Sequence, residues 1–250
     1  MAFKNHIPNL ITLCNLAAGL VALIYTFDGH YQMAFVWVFI GIFFDFWDGF
    51  FARILKVQSA IGLQLDSLAD MVTSGVVPGM VVYKMLSDIA EYQGEYNLSS
   101  DNLYLGLLPY AGFIITLGSC YRLAKFNVDT RQTDSFIGLP TPANALFILS
   151  LPVIEAHSDG TGLVFDMLSN PYVLVGISVL SAFMLNAVIP LFSLKVKYFN
   201  WETNKIQFIF LILSVLLLFF FQYIGIPLII LSYVLLSVIN NMFLAKPDAK

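Results

Sequence analysis

Four carboxylates, Asp45, Asp48, Asp66 and Asp70, lie close together in stretches that are otherwise apolar enough to cross a bilayer. An Asp at the centre of a membrane helix costs roughly 2.5–3.5 kcal/mol, so four of them cost roughly 10 kcal/mol or more unless something offsets the charge. Asp45 and Asp48 are three positions apart, and Asp66 and Asp70 are four apart, which puts each pair on one helical face. If the two helices are neighbours, the pairs converge. In a chain with three His and two separated Cys, hard oxygen ligands from two helices suit Mg2+ or Mn2+ better than zinc. Such a cation brings the positive charge that the cluster lacks.

The elements that must position these groups are membrane helices. The chain has 250 residues, of which 59% are hydrophobic and 11% charged, with a mean hydropathy of +0.82. Soluble domains carry about 25% charged residues, so the composition is that of an integral membrane protein. The formal net charge of −4 says little about partners, because the charges are sorted by side. No basic patch of the kind that binds nucleic acid is present. The polar lead Met1 to Asn9 has no cleavage-site pattern and reads as retained. Cys14 and Cys120 fall in separate spans and read as buried, unpaired thiols.

Apolar runs cover residues 10–27, 31–51, 65–85, 103–123, 139–156, 171–192, 206–223 and 226–244, which makes about eight transmembrane helices in an all-α polytopic bundle. Pro140, Pro142 and Pro152 interrupt the fifth run. With this count, Lys4, Arg53, Lys56, Arg122, Lys125, Arg131, Lys195, Lys197, Lys205, Lys246 and Lys250 fall on one side and only Lys84 on the other. The positive-inside rule then places both termini in the cytoplasm, in a multi-pass protein of the cytoplasmic membrane. The four Asp residues lie towards that same side. Residues 1–250 read as one domain, with a core over 1–192 and a C-terminal helix pair over 193–250.

Gly49, Ala52 and Gly62 stand among the carboxylates, where small residues either let helices pack closely or leave backbone open to a flat ligand. Together, Asp45-x2-Asp48-Gly49-x2-Ala52-Arg53-x8-Gly62-x3-Asp66-x3-Asp70 resembles, without departure, the signature of the CDP-alcohol phosphatidyltransferase family. The resemblance implies a six-helix core, here followed by two more helices, often in a homodimer. It also implies transfer of a phosphatidyl-type group from a CDP-linked lipid to an alcohol, with release of CMP. By the same carry-over, the four carboxylates hold one or two divalent metals, Asp70 is the general base, and Gly49, Ala52 and Gly62 line the cytidine site. The residue types suit that chemistry. Attack of a hydroxyl on a diphosphate needs phosphoryl charge neutralised, the leaving group stabilised and a proton removed.

Flanking stretches narrow the resemblance. Pro8-Asn9-Leu10-Ile11-Thr12 with Asn15 and Gly19, Asp66-Ser67-Leu68-Ala69-Asp70 followed by Gly75 and Pro78, the run Arg122 to Asn127, and Gly138-Leu139-Pro140 look like the phosphatidylserine synthase branch. That likeness implies CDP-diacylglycerol and L-serine as substrates, among membrane lipids. Two positions depart from it: Lys125 stands where Arg is usual, and Ser74 where an aromatic is common. Arg122 either faces the bundle interior, where its guanidinium meets phosphate or carboxylate, or snorkels to the headgroups. Lys125 and Arg131 are the other cations available to an acceptor carboxylate, and the lipid diphosphate competes for all three.

Several residues keep two readings. Asn9 and Thr12 share a face at the start of the first span: Asn9 caps the helix, or both lie near the nucleotide, with Asn15 and Asn127 as weaker cases. Arg53 pairs with the acidic cluster or anchors the cytoplasmic side. His6, His30 and His157 fall on different sides and make no metal site, while Tyr198, Trp201 and Tyr223 read as an interfacial belt. Glycerol 3-phosphate, inositol phosphate or choline are alternative acceptors within the same chemistry. A cation transporter is the rival from another class. Transport calls for carboxylates near the midplane with access from both faces, whereas these pairs bracket one cytoplasmic linker.

Overall fold

Backbone in lipid must satisfy its own hydrogen bonds, so apolar runs of this length fold as helices. A computed structural model describes residues 3–96, 106–128, 136–158, 160–192 and 204–244. Helix α1 spans Ile7–Phe27, with Pro8 in its first turn, where a missing N–H breaks no bond. Gly29, at φ +74°, reverses the chain into α2, Tyr31–Ile54. Helix α3, Ala60–Asp70, is capped by Ser59, whose Oγ accepts from the Gly62 N–H at 3.0 Å. It continues through a π-helical turn, Met71–Val76, into α4, Val77–Tyr96.

Then follow α5 (Phe113–Val128), α6 (Thr141–His157), the short α7 (Leu163–Leu168), α8 (Pro171–Asn186), α9 (Lys205–Phe221) and α10 (Gly225–Leu244). A turn at Gln222, with φ +48°, folds α10 back along α9. By length and composition, Ile7–Phe27, Tyr31–Ile54, Ala60–Glu91 and Lys205–Met242 can cross a membrane, and α8 is a shorter apolar helix. The chain is an all-α polytopic membrane protein.

Burial runs opposite to that of a soluble bundle. Ile24, Phe39, Leu117, Phe183 and Phe219 are exposed, while Thr12, Asn15, Thr73, Ser119, Asn144 and Ser178 are buried. The outer apolar side chains suit lipid, and the polar ones gather where other protein groups meet them. Cys14 and Cys120 follow the outward pattern: both are free but exposed, not buried as expected, because an apolar residue in a span belongs as readily on the lipid face as inside.

Pro140 and Pro142 flank and open α6 instead of breaking it, and only Pro152 lies inside the helix, which is among the most buried of the bundle. The sixth run stops being helical at Asn186, short of its apolar end. Beyond it, β2 (Pro190–Leu191) pairs antiparallel with β1 (Phe136–Ile137), Phe136 facing Leu191. Pro190 has no N–H to continue a helix and disfavours helical backbone in the residue before it.

Two relationships fix the site. Helix α1 packs along α2, and both close on Thr73 of the π turn: a Cβ on Gly19 or Gly41 would collide with the Thr73 side chain, whose hydroxyl donates to the Asn15 carbonyl at 3.1 Å. The α3–α4 rod and α5 run antiparallel, as three levels show. Asn127 Nδ2 donates to Ser67 Oγ at 2.9 Å, Thr116 Oγ1 donates to the Gly75 carbonyl at 3.0 Å, and the Tyr83 and Phe113 rings stack at 5.3 Å. Val38, Val81, Leu86, Ile115, Ile148 and Leu174 fill the core on the far side of the π turn from the carboxylates.

Candidate active site

Asp45 and Asp48 lie in the last three turns of α2, and Asp66 and Asp70 on α3. The helices meet as their spacing predicts. One oxygen from each of Asp45, Asp48 and Asp66 falls within 4.8 Å of the others. Asp48 is buried, and Asp45, Asp66 and Asp70 are half-buried. Among the described residues, none of the four is in ion-pair contact with a Lys or Arg, the one such pair being Lys84–Asp88 on the other half of the bundle. Three carboxylates facing one another without a cation repel, and a divalent ion with oxygen preference fits that donor set. Asp70 lies outside this trio and accepts from Asn15 Nδ2 at 3.1 Å.

Helix α1 supplies partners to both acidic pairs. Thr12 Oγ1 donates to Asp48 Oδ2 at 2.5 Å, and Asn15, three residues on, serves Asp70. Asn9 is not the helix cap, since α1 already begins at Ile7. It lies instead on the wall of a cavity of about 550 Å3 between α1, α2, α3 and the linker 55–59. Pro8, Asn9 and Thr12 line it from α1, Asp48, Gly49, Ala52 and Arg53 from α2, and Gly62 and Asp66 from α3. Asn9, Thr12, Gly49, Ala52, Arg53 and Gly62 are therefore on one surface, with two of the carboxylates at its edge, whereas Asn15 and Asn127 do not line it. A Cβ on Gly49 would meet no protein atom within 4 Å, so the space beside it belongs to the cavity. At Gly62 a Cβ would come 3.2 Å from Ser59 Oγ and 3.3 Å from Asn9 Oδ1.

Arg53 is exposed at the cavity rim, in the last turn of α2, where its charge also suits the helix dipole. Arg122 does not snorkel. It is 7% exposed, its guanidinium carbon lies 5.9 Å from the Phe126 ring centroid, and its Nε has no partner. The antiparallel register of α5 against the α3–α4 rod puts Arg122 at the level of Asp70. Lys125 is half-buried on the same helix. Arg131 lies outside the described residues. Asn127 is taken up by Ser67 and ties α5 to α3.

Asn15 bonds Asp70 directly although the sequence makes it only a weaker case, and Gln58 and Ser59 line the cavity although nothing in the sequence assigns them there. The available signal for Asn15 was a polar side chain deep in an apolar span, on the same face as Thr12. For Ser59 it was the Ser three residues before Gly62, a helix-cap pattern that placed it at the mouth of the cavity.

The chain is similar in sequence to known proteins. A sequence model described as CDP-alcohol phosphatidyltransferase matches residues 5–184. A protein of Bacillus subtilis (strain 168) named CDP-diacylglycerol–serine O-phosphatidyltransferase is 34% identical over 151 residues, covering 59% of this chain and 75% of that protein. One of the same name from Helicobacter pylori (strain J99) is 31% identical over 150 residues, covering 59% of this chain and 57% of that one. An archaetidylserine synthase of Methanothermobacter thermautotrophicus is 27% identical over 176 residues, covering 70% of this chain and 66% of its own. The matched residues contain all four carboxylates, Arg122 and the cavity wall, and the chain belongs to the CDP-alcohol phosphatidyltransferase family.

Proposed function

We propose that this protein transfers the phosphatidyl group of CDP-diacylglycerol to the hydroxyl of L-serine and releases CMP. The observation that carries the reading is the junction of the Asp45–Asp48–Asp66 trio with the cavity lined by Asn9, Thr12, Gly49, Ala52, Arg53 and Gly62. A cavity of about 550 Å3 accommodates a nucleoside monophosphate portion. The serine-specific names of the relatives support the choice of acceptor.

Asp45, Asp48 and Asp66, with Asp70 beside them, would hold a Mg2+ or Mn2+ ion, which would supply neutralisation of the diphosphate charge. The remaining work falls to the chain. Gly49, Ala52 and Gly62 let the nucleotide lie against backbone. Asn15 holds the Asp70 carboxylate, so that its other oxygen is free to take the proton of the attacking hydroxyl. The serine oxygen bonds to the lipid-side phosphorus, the bond from that phosphorus to the bridging oxygen breaks, and CMP leaves with the bridging oxygen. Arg122 meets the acceptor carboxylate, with Lys125 and Arg131 as further cations on that side. The positive-inside count supports a cytoplasmic active site with both termini on the same side, and a homodimer is part of the same reading.

The test is CMP release by purified protein in detergent with CDP-diacylglycerol and Mn2+, offering serine, glycerol 3-phosphate, inositol phosphate or choline separately. Serine-dependent release that EDTA removes is the expected result. Release with another alcohol instead would discard the acceptor, and no release with any would discard the transferase. Asp70→Asn should lower turnover by at least about a hundredfold, in line with loss of a general base. Full turnover in that variant would remove Asp70 from the role.

A further inference from the structure

Ser74, in the π turn, and Ser119, on α5, are fully buried, and neither hydroxyl has a hydrogen-bond partner. Serines elsewhere in the bundle behave differently. Ser178, Ser214 and Ser237 each donate to the carbonyl four residues back, at 2.9, 2.7 and 2.7 Å. That bond is the usual way for a serine to satisfy itself inside a membrane helix. Ser74 and Ser119 forgo it, and a hydroxyl left unpaired in such surroundings points to a partner that the chain itself does not supply.

Their level in the bundle says what that partner meets next. Ser74 comes four residues after Asp70 on a helix running away from the carboxylates, and Ser119 three residues before Arg122 on a helix running towards them. Because the two helices are antiparallel, with Gly75 bonded to Thr116 and Ser67 to Asn127, both serines lie one turn beneath Asp70 and Arg122. The helices are also close here: a Cβ on Gly75 would stand 3.2 Å from the Ser119 Cβ. Three more buried atoms of the region have no partner: Arg122 Nε, Oδ1 of Asn15, whose Nδ2 donates to Asp70, and Oδ1 of Asn186, whose Nδ2 donates to the Gly118 carbonyl.

We propose that Ser74 and Ser119 form the floor of the acceptor subsite and receive the ammonium group of an amino-acid alcohol through their hydroxyl oxygens. The carboxylate of the same molecule lies on Arg122, and its hydroxyl faces Asp70. This rests on the transfer to serine proposed above. An ammonium group has donors only, and a hydroxyl oxygen accepts with two lone pairs, so the pairing satisfies both sides. Carboxylate, ammonium and hydroxyl of serine are carried on adjacent carbons and need anchors close together, and the antiparallel register puts Asp70 and Arg122 at one level with the two serines one turn beneath.

The experiment compares L-serine with 3-hydroxypropanoate, which keeps the carboxylate and hydroxyl but lacks the amino group. KM for L-serine and Ki of 3-hydroxypropanoate against it are measured for the unaltered protein, Ser74→Ala, Ser119→Ala and Ser119→Thr. Either alanine variant should raise the serine KM about tenfold, as expected for a lost hydrogen bond to a charged group. The Ki should stay within about twofold, and Ser119→Thr should recover most of the serine affinity. KM and Ki rising in parallel, or neither changing, would overturn the subsite and leave the serines as packing or water-bonded residues. Absence of any serine-dependent CMP release from the unaltered protein would overturn the transfer reading itself, a separate outcome.

Discussion

The hydroxyl of Thr12 on α1 donates to Oδ2 of Asp48 on α2 at 2.5 Å, and both side chains are buried. The bond joins α1, which carries no acidic residue of its own, to the acidic cluster, and it fixes which oxygen of Asp48 remains for a cation. A hydrogen bond to a charged group contributes about 1.5–3 kcal/mol. Thr12→Val, which keeps the shape and removes the donor, should therefore lower CMP release about tenfold or more, whereas Thr12→Ser keeps most of it. Steady-state rates for the two variants decide the matter: equal losses would assign Thr12 to packing.

The three oxygens within 4.8 Å make a specific forecast about metal. Asp45→Asn and Asp66→Asn each remove one charged ligand, and each should raise the Mn2+ concentration for half-activity by more than about a hundredfold, beyond the 10–100-fold typical of outer-shell partners. Direct titration of Mn2+ binding to the purified protein gives the same comparison without turnover. Asp88→Asn, at the Lys84 ion pair, should bind Mn2+ like the unaltered protein.

Gly49 separates stability from ligand affinity. It lies inside α2, and a methyl there meets no protein atom within 4 Å. Replacing a helical Gly by Ala gains about 0.8–1 kcal/mol of helix propensity. Gly49→Ala should accordingly raise the thermal midpoint in detergent while weakening CDP-diacylglycerol binding, because the methyl takes cavity space. Gly62→Ala should also weaken binding, but without the gain, since its Cβ crowds Ser59 and Asn9. A rise in midpoint with unchanged KM in Gly49→Ala would place the nucleotide elsewhere.

Much of this arrangement was legible in the residues alone, for a physical reason: charges in lipid are so costly that their spacing carries information. The 45–48 and 66–70 intervals imply two facing pairs, and α2 and α3 bring three of the four together. Small residues at 49, 52 and 62 imply either close helix packing or open backbone, and all three line one cavity. Other features left no such mark. The π turn after Asp70 changes no residue type, only the hydrogen-bonding pattern, and the antiparallel level of Ser74 and Ser119 depends on long-range register. Nor did hydropathy distinguish a lipid-facing Cys from a buried one, or show that residues 187–192 leave the helix to pair with β1.

That β pairing gives a last measurable consequence. Gly138 has φ +78°, its N–H donates to the Ile189 carbonyl at 3.0 Å, and a Cβ there would stand 2.5 Å from the Leu185 carbonyl oxygen and 3.1 Å from that of Ala187. Gly160 has a similar φ of +68° but nothing within 4 Å of its Cβ position. Left-handed backbone alone costs an L-residue roughly 1–2 kcal/mol. Gly160→Ala should therefore lose about that much stability, and Gly138→Ala distinctly more, because the new methyl must also push apart the end of α8 and the strand that follows. Thermal unfolding of both variants in detergent isolates the difference. Equal losses would mean that the junction yields freely, and that the pairing of β1 with β2 does little to hold α6 against the C-terminal end of α8.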